Sequence, residues 1–285
     1  MSQRQAKRAR RQARAQHAQR EQQQSQKEDW QRHLNSLSHR RKWKWAQFHV
    51  DEADELIKMW AAGGGYRVFQ ESDTHGGSRL LAEQLEPLPD ELSLIIGDAL
   101  QCLRNGLDNL AFILSRTNTP VMPPSDEKNV SFPIMDRVPV VGDKQIKLMS
   151  PNAQADICDL CPDPERGPAN QDPLWLLNKT ANRDKHREIP LVVVSYGINN
   201  MTIGNGHISH MAVRHQQLHP GEGPKPILEF AAGTHVALRM SHGVKIGFGK
   251  GIEVEGREVI PTLRWFYEHI GNNVFQRLEA YLDAN

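Results

Sequence analysis

Cysteine is scarce: the 285 residues contain three, Cys102, Cys158 and Cys161, too few for a disulfide framework, which points to a reducing compartment. No apolar run approaches the roughly 20 residues needed to cross a bilayer, and no signal-type apolar segment follows the N-terminal charges. A soluble, cytoplasmic protein with no membrane partner is expected. Phosphate-loop and Ser/His/Asp signatures are also missing, since Gly63 to Gly65 is not followed by the Lys-Ser/Thr of a nucleotide loop. Cys158 and Cys161 form a single CxxC with no second pair to complete four ligands. His207, His210, His215 and His219 crowd one region, but on a strand His207 and His210 point to opposite faces. No metal and no cofactor is expected, and no internal repeat is visible.

Acidic residues are nearly absent from the N-terminus. Residues 1–45 carry thirteen Lys or Arg against three acids, a net +10, whereas residues 46–285 carry 22 basic and 31 acidic side chains, a net −9. The overall charge of +1 therefore hides a basic arm on an acidic body. Residues 1–42, rich in Arg, Ala and Gln, have helical propensity but no apolar stripe, which predicts a disordered or lone-helical flexible arm. Arg4, Lys7, Arg8, Arg10, Arg11 and Arg14 are its candidate nucleic-acid contacts, because mobile excess charge neutralises phosphates without reading sequence. Trp30, Trp43 and Trp45 interleave with Lys and Arg; they suit stacking on bases, or stapling the arm to the body.

Residues 43–285 read as a single domain. Phe48, Ala53, Leu56, Ile57 and Trp60 predict a helix over Trp45 to Trp60, ended by the glycine triplet. Tyr66 to Gln70 and Ser78 to Leu85 predict a hairpin. Five prolines between Thr117 and Pro139 leave a crossover with little room for helix. Pro173 to Arg187 predicts a short second core helix. Short strands follow at Ile189 to Tyr196, Asn200 to His210, Ile227 to Ala231, His235 to Met240 and Lys245 to Val254, expected as an antiparallel meander in which GFGKG at 247–251 makes a tight hairpin. Thr262 to Leu282 predicts a closing amphipathic helix with Leu263, Phe266, Ile270, Val274, Leu278 and Tyr281 on one face. Segregated helices and strands make the class α+β: a central buried helix packed with other helices and an antiparallel sheet.

That central helix, Leu92 to Leu114, is the most informative stretch. At about 100° per residue, Asp98, Gln101, Arg104, Asn105, Asp108 and Asn109 gather on one arc while apolar residues cover the remaining two thirds. Charges on a helix this apolar must be paired or functional. Arg104 and Asp108, four apart, can pair on one face. The cluster Arg183, Asp184, Lys185, His186 and Arg187 closes the second helix, and the two groups are expected to meet across the core. Pairing of Asp98 or Asp108 with His186 or Arg187 would leave Arg104 free to hold an anion; a structural network is the alternative. Asp98, Asn105, Asp108, Asn109, Asp184 and Arg187 are thus candidate ligand-binding or structural residues.

The GDALQCLRNGLDNLAFIL helix with a downstream DKHR segment resembles a family of bacterial and phage proteins, a resemblance that implies no activity. More weakly, the helix resembles the catalytic helix of HEPN domains, helical modules of ribonucleases, through Arg104 and Asn105, although Asn109 stands where that motif has His. The HEPN likeness implies metal-independent RNA cleavage in which Arg104 binds the scissile phosphate. Asn cannot exchange a proton, so His186 would have to serve as the base. The favoured expectation is a non-enzymatic accessory or binding protein whose arm contacts nucleic acid non-specifically. A degenerate HEPN-like endoribonuclease using Arg104 and His186 is one alternative, and a structural or protein-interaction component another.

Overall fold

The computed structural model describes residues 33, 36–72, 77–163, 171–185, 187–195, 202–203, 212–213, 216–230, 236–237 and 244–282. Residues 1–32 of the predicted arm, with Trp30, and His186, His207, His210 and His215 lie outside the described residues. In chain order the elements are α1 (Ser38–Ala62), β1 (Tyr66–Ser72), β2 (Ser78–Gln84), α2 (Glu91–Asn118), the single turn α3 (Pro124–Glu127), α4 (Pro151–Leu160), α5 (Pro173–Asp184), and β3 (Leu191–Ser195). Then come β4 (Thr202–Ile203), β5 (Ala212–Val213), β6 (Gln216–Leu218), β7 (Lys225–Phe230), β8 (Val236–Ala237), β9 (Val244–Phe248) and α6 (Val259–His269). The class is α+β. No described helix is long and apolar enough to cross a membrane.

Helix α2 is the axis of the fold. Leu92, Ile96, Leu100, Leu103, Leu107, Leu110 and Leu114 are buried, and so are the small residues Gly97, Ala99, Cys102, Gly106 and Ala111 between them. Helix α1 packs along it through Ala46, Val50, Ala53 and Trp60, whose helical spacing makes one apolar stripe. It starts at Ser38, seven residues ahead of the start expected at Trp45, and His39 in its first turn is fully buried. The glycine triplet ends α1 as expected, with Gly64 at φ 90°, a conformation other residues rarely adopt.

The predicted hairpin β1–β2 forms, with Tyr66 opposite Gln84 at one end and Ser72 opposite Ser78 at the other. The later strands do not form a meander. Strand β2 pairs with β7, β7 with β5, β3 with both β6 and β9, and β4 with β8, all antiparallel, so the hairpin is extended by a strand from far along the chain. GFGKG does not lead into a second full strand, but the chain turns back beside β9 after Phe248: Phe248 N donates to Arg257 O, Gly256 N donates to Phe248 O, and Gly247 and Glu258 form an isolated antiparallel bridge before α6.

Two helical regions depart from expectation. Helix α4, not anticipated, starts with Ser150 as N-cap, its hydroxyl accepting from Ala153 N, and Pro151 in the first turn. The closing helix begins at Val259 and is interrupted by a π segment, Ile270–Phe275, before a short turn at Gln276–Leu278 and a 3₁₀ turn at Glu279–Tyr281. Leu263, Phe266, Ile270, Val274 and Leu278 are nevertheless buried along one face, as predicted. Within the π segment Gly271 lies under Trp43, where a Cβ would come within 2.6 Å of the indole.

Candidate functional site

The polar arc of α2 divides between two environments. Gln101, Arg104 and Asp108 face α5 and the crossover. Asp98 and Asn105 are exposed, and Asn109 lies beside Ser38, Arg41, Lys42 and Trp45 of α1. The expected packing of the two core helices is present, and Arg104 and Asp108 pair on one face as their spacing predicts; the alternative pairing with His186 lies outside the described residues. Asp108 accepts from Arg104 Nη1 at 2.6 Å on its own helix and, among the described residues, pairs with neither exposed Arg187 nor another residue at the end of α5.

Three of the five N–H groups of Arg104 are engaged within the protein. Its Nε donates to Asn178 Oδ1 at 3.0 Å, Nη1 to Asp108, and Nη2 to the carbonyl of Phe132 at 3.0 Å. The same oxygen of Asp108 accepts from Phe132 N at 2.9 Å, while Asn178 Nδ2 donates to the Ile134 carbonyl at 3.2 Å. Three of these five links fasten the backbone of residues 132–134 between α2 and α5, and the other two tie the clamping side chains to one another. Asn178 was not anticipated; the visible signal was only its place on the face of α5 that meets α2.

Asp184 sits in a notch over Gly97, where a Cβ would stand 2.3 Å from Oδ1. Gln101 Nε2 donates to Asp184 Oδ2 at 3.1 Å and to the Ala181 carbonyl at 2.5 Å, joining α2 to the C-terminal turn of α5. Burial pushes the Asp184 carboxyl up and nearby Asp98 adds to the effect, against the hydrogen bond from Gln101. The cysteines are not activated thiols: burial pushes Cys102, Cys158 and, most strongly, Cys161 upward, and Cys161 Sγ donates to the Pro133 carbonyl. No cluster of three His, Cys, Asp or Glu suited to a metal occurs among the described residues.

A third cluster joins the start of α1 to the end of the chain. Arg40 donates through Nε and Nη2 to both oxygens of Glu279, at 2.6 and 2.7 Å, and His39 Nε2 donates to Oε1 at 2.8 Å. An ionised carboxylate only accepts, so the proton in the last bond belongs to the imidazole. The Arg40 guanidinium lies 5.1 Å from the rings of both Trp43 and Phe275. Trp43 stacks on Tyr267 at 4.1 Å and donates Nε1–H to its carbonyl. Trp43 therefore staples the start of α1 to α6. Trp45 instead stays 54% exposed and stacks on Phe48, itself 52% exposed, at 5.0 Å.

Comparison of the chain with family models, with curated proteins and with solved structures returns no match.

Proposed function

We propose that the protein is a non-enzymatic accessory or binding protein whose basic N-terminal arm contacts nucleic acid without sequence preference. The carrying observation is the separation of charge: net +10 in residues 1–45 against net −9 in the remainder. A polyanion is attracted to the first and repelled by the second, so the arm is where phosphates gain most. The first exposed turn of α1 extends the basic run onto the folded surface through Arg41, Lys42 and Lys44. A binding role is favoured over HEPN-like cleavage because three of the five N–H groups of Arg104, one on each nitrogen, already donate within the protein.

The test removes residues 1–32, which stops short of the His39–Arg40–Glu279 cluster. The shortened chain should keep its thermal midpoint while losing low-salt retention of labelled RNA and DNA, and the salt dependence of the remaining binding should flatten. Unchanged retention would overturn the proposal.

A further inference from the structure

The cleft between α1 and α2 contains a feature that bulk charge does not require. Ser38, Arg41, Lys42 and Trp45 of α1 and Asn109 of α2 line a hollow of about 350 Å³. Trp45 continues outward into the stack with Phe48, their planes 17° apart. Two large aromatic rings side by side, each more than half exposed, forfeit the burial that ordinarily places such residues in a core. Trp43, two positions away, shows the alternative, docked on Tyr267 and hydrogen-bonded.

We infer that this cleft is a stacking site for single-stranded nucleic acid, with one base laid against the Trp45–Phe48 pair. The inference rests on the proposed nucleic-acid contact of the arm and names the form of ligand the body selects. The chemistry of the lining matches the parts of a nucleotide. Aromatic faces receive a base whatever its identity, the Arg41 and Lys42 side chains supply cations for the flanking phosphates, and the Asn109 amide can both donate to and accept from a base edge. A duplex keeps its bases stacked on each other and cannot present one to the indole, so the preference should be for single strands. The position also fits, because the cleft opens at the first turn of α1, where the basic segment enters the body.

The experiment compares full-length wild type, W45A/F48A and R41A/K42A by fluorescence anisotropy with labelled oligothymidylate and with a duplex of equal length. Each is measured over a salt series, with sedimentation velocity on the same samples. Both pairs are exposed, so the variants should fold; far-UV circular dichroism checks this. W45A/F48A should weaken single-strand binding by about 5- to 150-fold while leaving duplex binding and the salt slope unchanged. R41A/K42A should weaken both ligands and reduce the single-strand slope by about 1.4, at roughly 0.7 per lost phosphate contact. Unchanged single-strand affinity in W45A/F48A, or an equal loss on duplex, would overturn the stacking site. So would a wild-type dimer that W45A/F48A converts to monomer, since the rings would then serve a second copy of the chain. The arm is judged separately by the 1–32 deletion, whose failure would leave a selective W45A/F48A effect standing as a property of the body.

Discussion

Replacing Glu279 by Gln tests whether the two ends of the described body are held together electrostatically. Gln keeps the size and one acceptor but puts an NH₂ where Arg40 donates, and it removes the counter-charge. The Glu279 side chain is 7% exposed and that of Arg40 is 13% exposed, so water replaces little of the lost interaction. Removing one partner of a buried pair costs about 3–5 kcal/mol. The Trp43 and Phe275 rings still face the guanidinium, which favours the lower end, about 3 kcal/mol. At about 2–4 °C per kcal/mol, E279Q should melt about 6 °C or more below wild type. Urea denaturation followed by tryptophan fluorescence should show the same loss, and in a cycle with R40M the double variant should lose less than the sum of the singles. The pH dependence is also directed. Burial alone would push the Glu279 carboxyl up, but hydrogen bonds and charge from His39 and Arg40 outweigh it and hold the group below its ordinary value. A carboxyl lowered in the folded state contributes stability above its unfolded value of about 4.3, and that contribution disappears as pH falls through the lower folded value. The gap between wild type and E279Q should therefore close in acid. A midpoint for E279Q indistinguishable from wild type at pH 7, or strict additivity with R40M, would refute the reasoning.

The clamp on the crossover predicts that D108A, which strips Arg104 of one acceptor and leaves Phe132 N–H without another, costs about 1.5–3 kcal/mol and speeds hydrogen exchange at Phe132. Nucleic-acid retention should be unchanged; undiminished protection at Phe132 would contradict the clamp. Asp184 works in the opposite pH sense to Glu279. Its carboxyl is raised in the folded state, so the stability it contributes is present below the ordinary Asp value of about 3.9 and is lost as pH rises through the folded value. D184N, which still offers an oxygen to Gln101, should therefore denature later than wild type at pH 7 and match it in strong acid. Lower stability of D184N at pH 7 would show that Asp184 has a favourable cationic partner.

Legibility along the chain followed the range of the interactions. Helix α2 was visible because its apolar positions recur over many turns, and β1–β2 because two alternating runs flank a turn. Ser150-Pro151 is an equally readable helix start, a capping Ser followed by a Pro in the first turn. The meander was a wrong expectation for a different reason: β2 pairs with β7 across many intervening residues, and alternation within a strand says which face is buried, not which strand lies beside it. The same applies to the candidate site. That Arg104 and Asp108 are four apart made their pairing readable, but nothing local revealed that Asn178 and the Phe132 carbonyl would take the remaining nitrogens.

By itself the sequence determined what depends on neighbours within a few residues: the apolar stripes of the helices, the hairpin, the α+β class and the division into a basic arm and an acidic body. Tertiary structure alone decided which polar groups became partners. It turned Trp43 inward and left Trp45 outward, joined Arg40 to Glu279 across nearly the whole chain, and spent Arg104 on the backbone of the crossover. The physical reason is that burial favours a complement within about 3 Å for most polar groups, and the supplier is set by the packing of whole elements, which no periodicity encodes.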